Sequence, residues 1–138
     1  MSEPYDVAIV GGGPAGLTAA LWLGRYLHRV VVIDSGDPRN WETRGVNGFP
    51  GHPGITPAEL RGKTRDECRE YGVELIDGFV ARVRQADDGF ELQFDPMRGT
   101  KARDDHRGSG SPRAPWDNSP RPETRVLRAA RLLLAFGL

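Results

Sequence analysis

Cysteine is almost missing from this sequence: Cys68 stands alone among 138 residues. A single thiol forms no internal disulfide and supplies no C-x-x-C pair, which excludes a dithiol redox centre built from this chain alone. With Leu60, Thr64 and Tyr71 on one helical stripe, Cys68 reads as a packed thiol rather than a reactive one. Net charge is missing too. Nineteen basic residues balance nineteen acidic ones, so no global field draws the chain to nucleic acid or an anionic membrane, and neither is expected as a partner. The three histidines, His28, His52 and His106, are scattered without metal-ligand spacing. No apolar run approaches the length of a membrane span. The opening MSEPYD has no basic n-region, and the apolar run behind it is too short for a signal peptide. A cytoplasmic protein with one ordinary domain is the expectation.

What is present is a glycine-rich turn in a telling place. Residues 5–16 read YDVAIVGGGPAG. Val7, Ala8, Ile9 and Val10 form a short apolar run typical of a buried parallel strand. Pro14 then opens a helical pattern through Leu17, Ala20, Leu21 and Gly24. Gly11, Gly13 and Gly16 make G-x-G-x-x-G at the junction. In a dinucleotide site the first glycine permits the tight turn, the second lets a pyrophosphate approach the backbone, and the third lets helix and strand pack closely. The free N–H groups and positive dipole end of the new helix face the phosphates. A second apolar run, residues 30–33, ends in Asp34, 23 residues after Gly11, where such a site wants a carboxylate for ribose hydroxyls. Strand, glycines, helix and acid agree, so residues 5–34 read as a βαβ dinucleotide unit.

Residues 35–56 form a long loop rich in Gly, Pro and Asn, with Trp41, Phe49 and Ile55 available to anchor it against a core or a flat ligand. Thr56, Pro57 and Glu59 spell a helix start: a cap, a proline at the first helical position and a capping-box carboxylate. That helix is expected to run to about Tyr71 and end at Gly72. Residues 73–76 follow as a third strand. Residues 79–84 and 90–94 read as a hairpin turning at Asp88-Gly89, with residues 125–127 as the third strand that makes it a meander. Between them, residues 95–123 carry Pro, Gly, Ser, Arg and Asp with almost no apolar content, the composition of a disordered insertion. Residues 131–138, RLLLAFGL, read as a buried central strand leading into another glycine-permitted turn.

Together these pieces resemble the N-terminal FAD-domain segment of the thioredoxin-reductase-like pyridine nucleotide–disulfide oxidoreductases. The matching stretches are DVAIVGGGPAG, VVVID, the PRN and NGFPG loop, TPAEL, YGVELIDG and RLLLAFGL, covering residues 5–95 and 124–138. The resemblance implies an α/β, Rossmann-like FAD/NAD(P)-binding fold: a parallel sheet with flanking helices and an antiparallel β-meander, incomplete because only the first FAD segment matches. It implies contacts to FAD from Gly11, Gly13, Pro14, Ala15 and Gly16, with Asp34 on the adenosine ribose and Ser35 beside it. Val80 resembles the residue whose backbone reads the adenine. Ala135 and Gly137 match the A-x-G of the strand returning under the cofactor, with Phe136 in place of the usual threonine. Asn47 lies in a loop similar to the one near the flavin ring. In full-length members NADPH reduces FAD, which passes electrons to a disulfide or similar acceptor, and no NADPH site is expected here. No residue stands out as a catalytic acid, base or nucleophile. On this reading residues 1–138 are one segment of an FAD-binding domain, a truncated copy or an excised piece, and the missing second segment leaves an apolar sheet edge exposed. Alternatives remain open: a non-catalytic nucleotide-binding half-domain completed by a complementary chain or a homodimer, a fragment of a flavin monooxygenase, or an NAD-binding module.

Overall fold

Two short runs of branched side chains set the architecture. β1 (Tyr5–Val10) and β2 (Val30–Asp34) pair in parallel, Val7 beside Val30 and Val10 beside Ile33. Every residue of β2 is buried, as a strand covered on both faces must be. The computed structural model describes residues 3–36, 43–96 and 124–136. Within them the chain runs β1, α1 (Pro14–Arg25), β2, α2 (Pro57–Glu70), β3 (Glu74–Ala86), β4 (Gly89–Pro96) and β5 (Arg125–Leu134).

The parallel sheet has the order β3-β2-β1-β5. The second half of β3, all of β4 and the first half of β5 form an antiparallel meander. Because β3 and β5 belong to both, the pairing closes on itself. Alternate residues of the central strands then face two different cores. Val7, Ile9, Val30 and Val32 pack under the helices with Leu17, Ala20 and Cys68. Ala8, Val31 and Ile33 face Leu92, Phe94 and Leu127 of the meander. The result is three layers: helices, parallel sheet, meander.

The two helices begin and end where their sequences direct. Thr56 accepts a hydrogen bond from the Glu59 N–H at 3.2 Å while Glu59 accepts from the Thr56 N–H, a complete capping box. Gly72, at φ +76°, follows the last turn. Cys68 is fully buried between α2 and α1, its thiol donating to the Leu17 carbonyl at 3.4 Å, and burial pushes its pKa up. It is a packing thiol.

Several expectations need correction. The strands foreseen at 73–76 and 79–84 are one continuous strand, β3, which leaves β2 after Asp77 and continues against β4. Likewise the strands foreseen at 125–127 and 131–138 are one, β5, which ends at Leu134 and is paired first with β4 and then with β1. Each strand passes from one sheet to the other, so a composition change midway does not end it. The hairpin turns one residue earlier than foreseen, at Asp87-Asp88, neither of which has positive φ. Gly89 instead opens β4 at φ +146°, where a Cβ would lie 2.3 Å from the Ala129 carbonyl oxygen. The apolar end of β5 is not a buried central strand. Beyond Ala129 it pairs, among the described residues, with β1 alone, and Leu133, Leu134 and Phe136 are substantially exposed. Among the described residues these side chains form an exposed apolar edge. Tyr71 is also exposed, and Arg65 rather than Tyr71 is the buried companion of Cys68 on α2. Ile55 anchors the 43–56 loop, bridging to Val46, whereas Phe49 is exposed; Trp41 lies outside the described residues. No helix among the described residues is long and apolar enough to cross a membrane.

Of the insertion foreseen at 95–123, Asp95 and Pro96 instead end β4, paired with Phe79 and Gly78, and residues 97–123 lie outside the described residues. Their flanks are held together: Phe94 pairs with Arg125, and the Thr124 hydroxyl donates to Asp95 at 2.8 Å. Strand ends this close can be joined by a turn of a few residues, and shortening a loop lowers its closure entropy cost. Replacing residues 97–123 by a short Gly-containing turn should therefore leave the melting temperature equal or raise it. A clear fall would show that the segment contributes packing of its own.

Candidate functional site

The site forms at the C-terminal ends of the parallel strands. From β1 the chain moves to β2 and β3 on one side, while β5 lies on the other. This reversal beside β1 creates the crevice in which open α/β sheets bind ligands.

At its centre is the turn from β1 to α1. Gly11 has φ +109°, and its N–H donates to the Ile33 carbonyl at 2.9 Å. A Cβ there would meet the Ala135 carbonyl at 2.7 Å, so this turn needs glycine twice over. Ala135, just past β5, donates its own N–H to the Val10 carbonyl at 2.8 Å. Gly16 lies in the first turn of α1, where a Cβ would fall 2.0 Å from the Gly11 oxygen. Only glycine lets the helix start this close to the strand it leaves. Gly13 is different: nothing stands within 4 Å of where its Cβ would be. The backbone there faces open space.

The helix begins at that open position. Gly13 is the N-cap in extended conformation, with no side-chain cap and no acidic residue in the first turn. Leu17 N–H is the one that returns to the Gly13 carbonyl, at 3.0 Å. Pro14 has no N–H, so the N–H groups of Ala15 and Gly16 belong to the orphan donors that every helix start presents. The first turn of α1 carries no carboxylate to compete for them, and the helix dipole favours an anion there. This uncapped start fits a pyrophosphate.

Asp34 ends β2 beside this turn and is 6 % exposed. One carboxylate oxygen accepts the Gly12 N–H at 3.1 Å. The other accepts from the Arg61 guanidinium of α2, and Arg65 stands 3.9 Å from it. Arg65 is tied in turn to Asp77 of β3 at 3.2 Å. Burial raises the Asp34 pKa, but the Arg61 hydrogen bond and charge, with the Gly36 and Gly12 N–H groups, outweigh it and hold the carboxyl below its ordinary value. Asp34 is therefore ionised near neutrality and joins the glycine turn, the sheet and α2.

Of the residues singled out from the sequence, Gly11, Gly13, Pro14, Ala15, Gly16, Asp34 and Ala135 belong to this one strand-end region. Ser35 follows Asp34 and is half-buried. Val80 is half-buried on β3, beyond the point where β3 leaves β2, and pairs with Phe94 next to a bulge. Asn47 is exposed on the loop beside the Val46–Ile55 bridge, and Gly137 lies outside the described residues. Three residues were missed. Gly12 occupies a free position of the glycine pattern, yet a Cβ there would sit 2.7 Å from the Asp34 carboxyl carbon. Arg61 and Arg65, four apart on α2, share a helix face, a spacing that by itself reads as an ordinary solvated stripe.

The fold and the uncapped turn define a dinucleotide-binding α/β domain. The chain belongs to the FAD-dependent oxidoreductases, whose family (DAO) matches residues 6–94. It is 38 % identical over 95 residues to a thioredoxin reductase of Claviceps purpurea, covering 66 % of this chain and 30 % of that one. To the thioredoxin reductase of Bacillus subtilis it is 36 % identical over 87 residues, 60 % of this chain and 28 % of the relative. An oxidoreductase structure from Agrobacterium tumefaciens superposes with a TM-score of 0.72 at 28 % identity, covering 98 % of this chain and 37 % of that one. The chain thus spans about a third of the length of these relatives, and its resemblance is to the N-terminal FAD-domain part of thioredoxin-reductase-like proteins.

The Asp34 contacts predict a pH-dependent stability. A folded-state pKa held below the ordinary carboxylate value contributes stability that is present above about pH 4 and is lost as pH falls through the folded value. Asp34→Asn should lower stability at pH 7 by about 1–3 kcal/mol, the range for a hydrogen-bonded charged group. The gap to the wild type should close on acidification below about pH 4. Denaturant melts at several pH values check this, and a gap independent of pH would contradict the assigned ionisation.

Proposed function

We propose that this chain binds FAD as the N-terminal cofactor-holding segment of an NAD(P)H-dependent, thioredoxin-reductase-like oxidoreductase of the cytoplasm. The observation that carries the reading is the uncapped start of α1 at Gly13, open to the outside and set beside the Asp34 carboxylate. The N–H groups of Gly13, Ala15 and Gly16 would take the pyrophosphate, and Pro14 fixes the first helical φ without adding a competing donor. Asp34 would accept from the ribose hydroxyls, with Ser35 alongside. Ala135 supports the turn from below. Roles for Val80 at the adenine, and for Asn47 and Gly137 nearer the flavin, rest on the family resemblance.

Bound FAD would supply the hydride-accepting and electron-passing chemistry, which in the proposed whole protein connects NADPH to a disulfide or similar acceptor. The chain's own part is binding and orientation. Its sequence has one G-x-G-x-x-G and one cysteine, and that cysteine is buried. The apolar edge of β5 at Leu133, Leu134 and Phe136 favours a second reading in which a complementary chain or a second copy completes the domain.

Titration calorimetry with FAD and ADP tests the proposal. Asp34→Ala should weaken ADP binding about tenfold or more, the equivalent of losing a charged hydrogen bond. Unchanged affinity in a folded variant would remove Asp34 from the site. With added FAD and NADPH the 138-residue chain should release no thiol from a chromogenic disulfide above the free-flavin control; turnover would mean that it carries more of the electron path than its single fingerprint accounts for.

A further inference from the structure

Asp34 is the expected ribose partner, yet its carboxylate is already engaged on both oxygens. Gly12 takes one and Arg61 the other, and the side chain is only 9 % exposed. Each oxygen keeps a free lone pair, but at that burial a ribose hydroxyl can reach it only if something moves. Gly12 is backbone within the phosphate turn and cannot leave without dismantling it.

The two arginines differ in their freedom to move. Arg65 is 10 % exposed in its side chain and anchored to Asp77 at 3.2 Å. Arg61 is 24 % exposed and has no second carboxylate among the described residues. Its Nε is buried without a hydrogen-bond partner, so its present position leaves a donor unsatisfied that water would satisfy outside. The Nη1 of Arg65 is also buried and unpartnered, 3.9 Å from the same Asp34 oxygen that Arg61 holds. A small shift would turn that approach into a hydrogen bond. If Arg61 departs, Asp34 therefore keeps a cationic neighbour, and the large cost of leaving a buried charge unpaired is avoided.

We propose that Arg61 is a displaceable cover on the ribose carboxylate, set aside when an adenosine nucleotide binds while Arg65 remains to hold Asp34. This inference rests on the nucleotide reading of the site. Arg61 then acts against binding: the fraction of molecules in which it sits on Asp34 lowers the apparent affinity by the same fraction. The cover also fixes α2 to the end of β2, so its removal affects affinity and stability in opposite directions. A purely structural arginine would lower both.

The test is calorimetric titration of the full chain with ADP, with thermal melts alongside, for wild type, Arg61→Gln and Arg61→Lys. Arg61→Gln should bind ADP about threefold more tightly or better while its melting temperature falls. Arg61→Lys keeps the charge but loses the planar fork, so it should fall between the two in affinity. Should the glutamine variant not fold, the lysine variant decides, and it must bind ADP more tightly than wild type. Equal or weaker binding by the folded variants, with wild type binding ADP, overturns the cover and leaves the nucleotide site standing. Absence of ADP binding in all three chains overturns the nucleotide reading and this inference with it.

Discussion

The contact on which the structure most depends is the close approach of three backbones at the end of β1. Gly16 of the helix rests against the Gly11 carbonyl, and Gly11 rests against Ala135 beyond β5. Gly12 presses on the Asp34 side chain at the tip of β2. A single methyl at any of these places would collide with atoms under 3 Å away. The layers meet here, so the turn that shapes the ligand crevice also sets the spacing of α1, β1, β2 and β5. Among the glycines of this turn Gly13 alone is spared the crowding, and it is the one left facing outward.

The proposed nucleotide binding follows from that asymmetry. Crowding positions the start of α1, while the absence of a capping side chain keeps its donors available. Asp34 supplies a buried negative group beside it, held ionised by Arg61 of α2 with the Gly36 and Gly12 N–H groups. The meander contributes by covering the other face of the sheet with Leu92, Phe94 and Leu127, which keeps β1 and β2 dry on both sides. Such support lets short strands hold a turn rigidly.

Local signals made much of this legible in the sequence. The glycine spacing, the apolar runs of β1 and β2 and the capping box at Thr56 all act within a few residues, and each appears where its chemistry requires. What escaped was set by partners distant in the chain. No periodicity shows that β3 and β5 each serve two sheets, because leaving one partner strand for another need not change the strand's own pattern. Leu133 and Leu134 look like core residues, and their exposure depends on which strand lies beyond β5. Arg61 and Arg65 acquire meaning only once α2 is laid over the end of β2, 27 residues upstream of Arg61. The hairpin turns at Asp87-Asp88, and Gly89 then passes close to the β5 backbone, a contact with a residue 40 positions away that no local turn signal shows.

The central claim is that the uncapped α1 start and its glycine turn receive the phosphates of an adenosine nucleotide. Backbone amide NMR of the 138-residue chain during ADP titration addresses it residue by residue. The account predicts the largest shifts at the amides of Gly13, Ala15 and Gly16, with smaller ones around Asp34 and little change on the outer strand face at Arg84 and Arg128. Saturable binding that shifts the meander and leaves the Gly13–Gly16 amides still would contradict it.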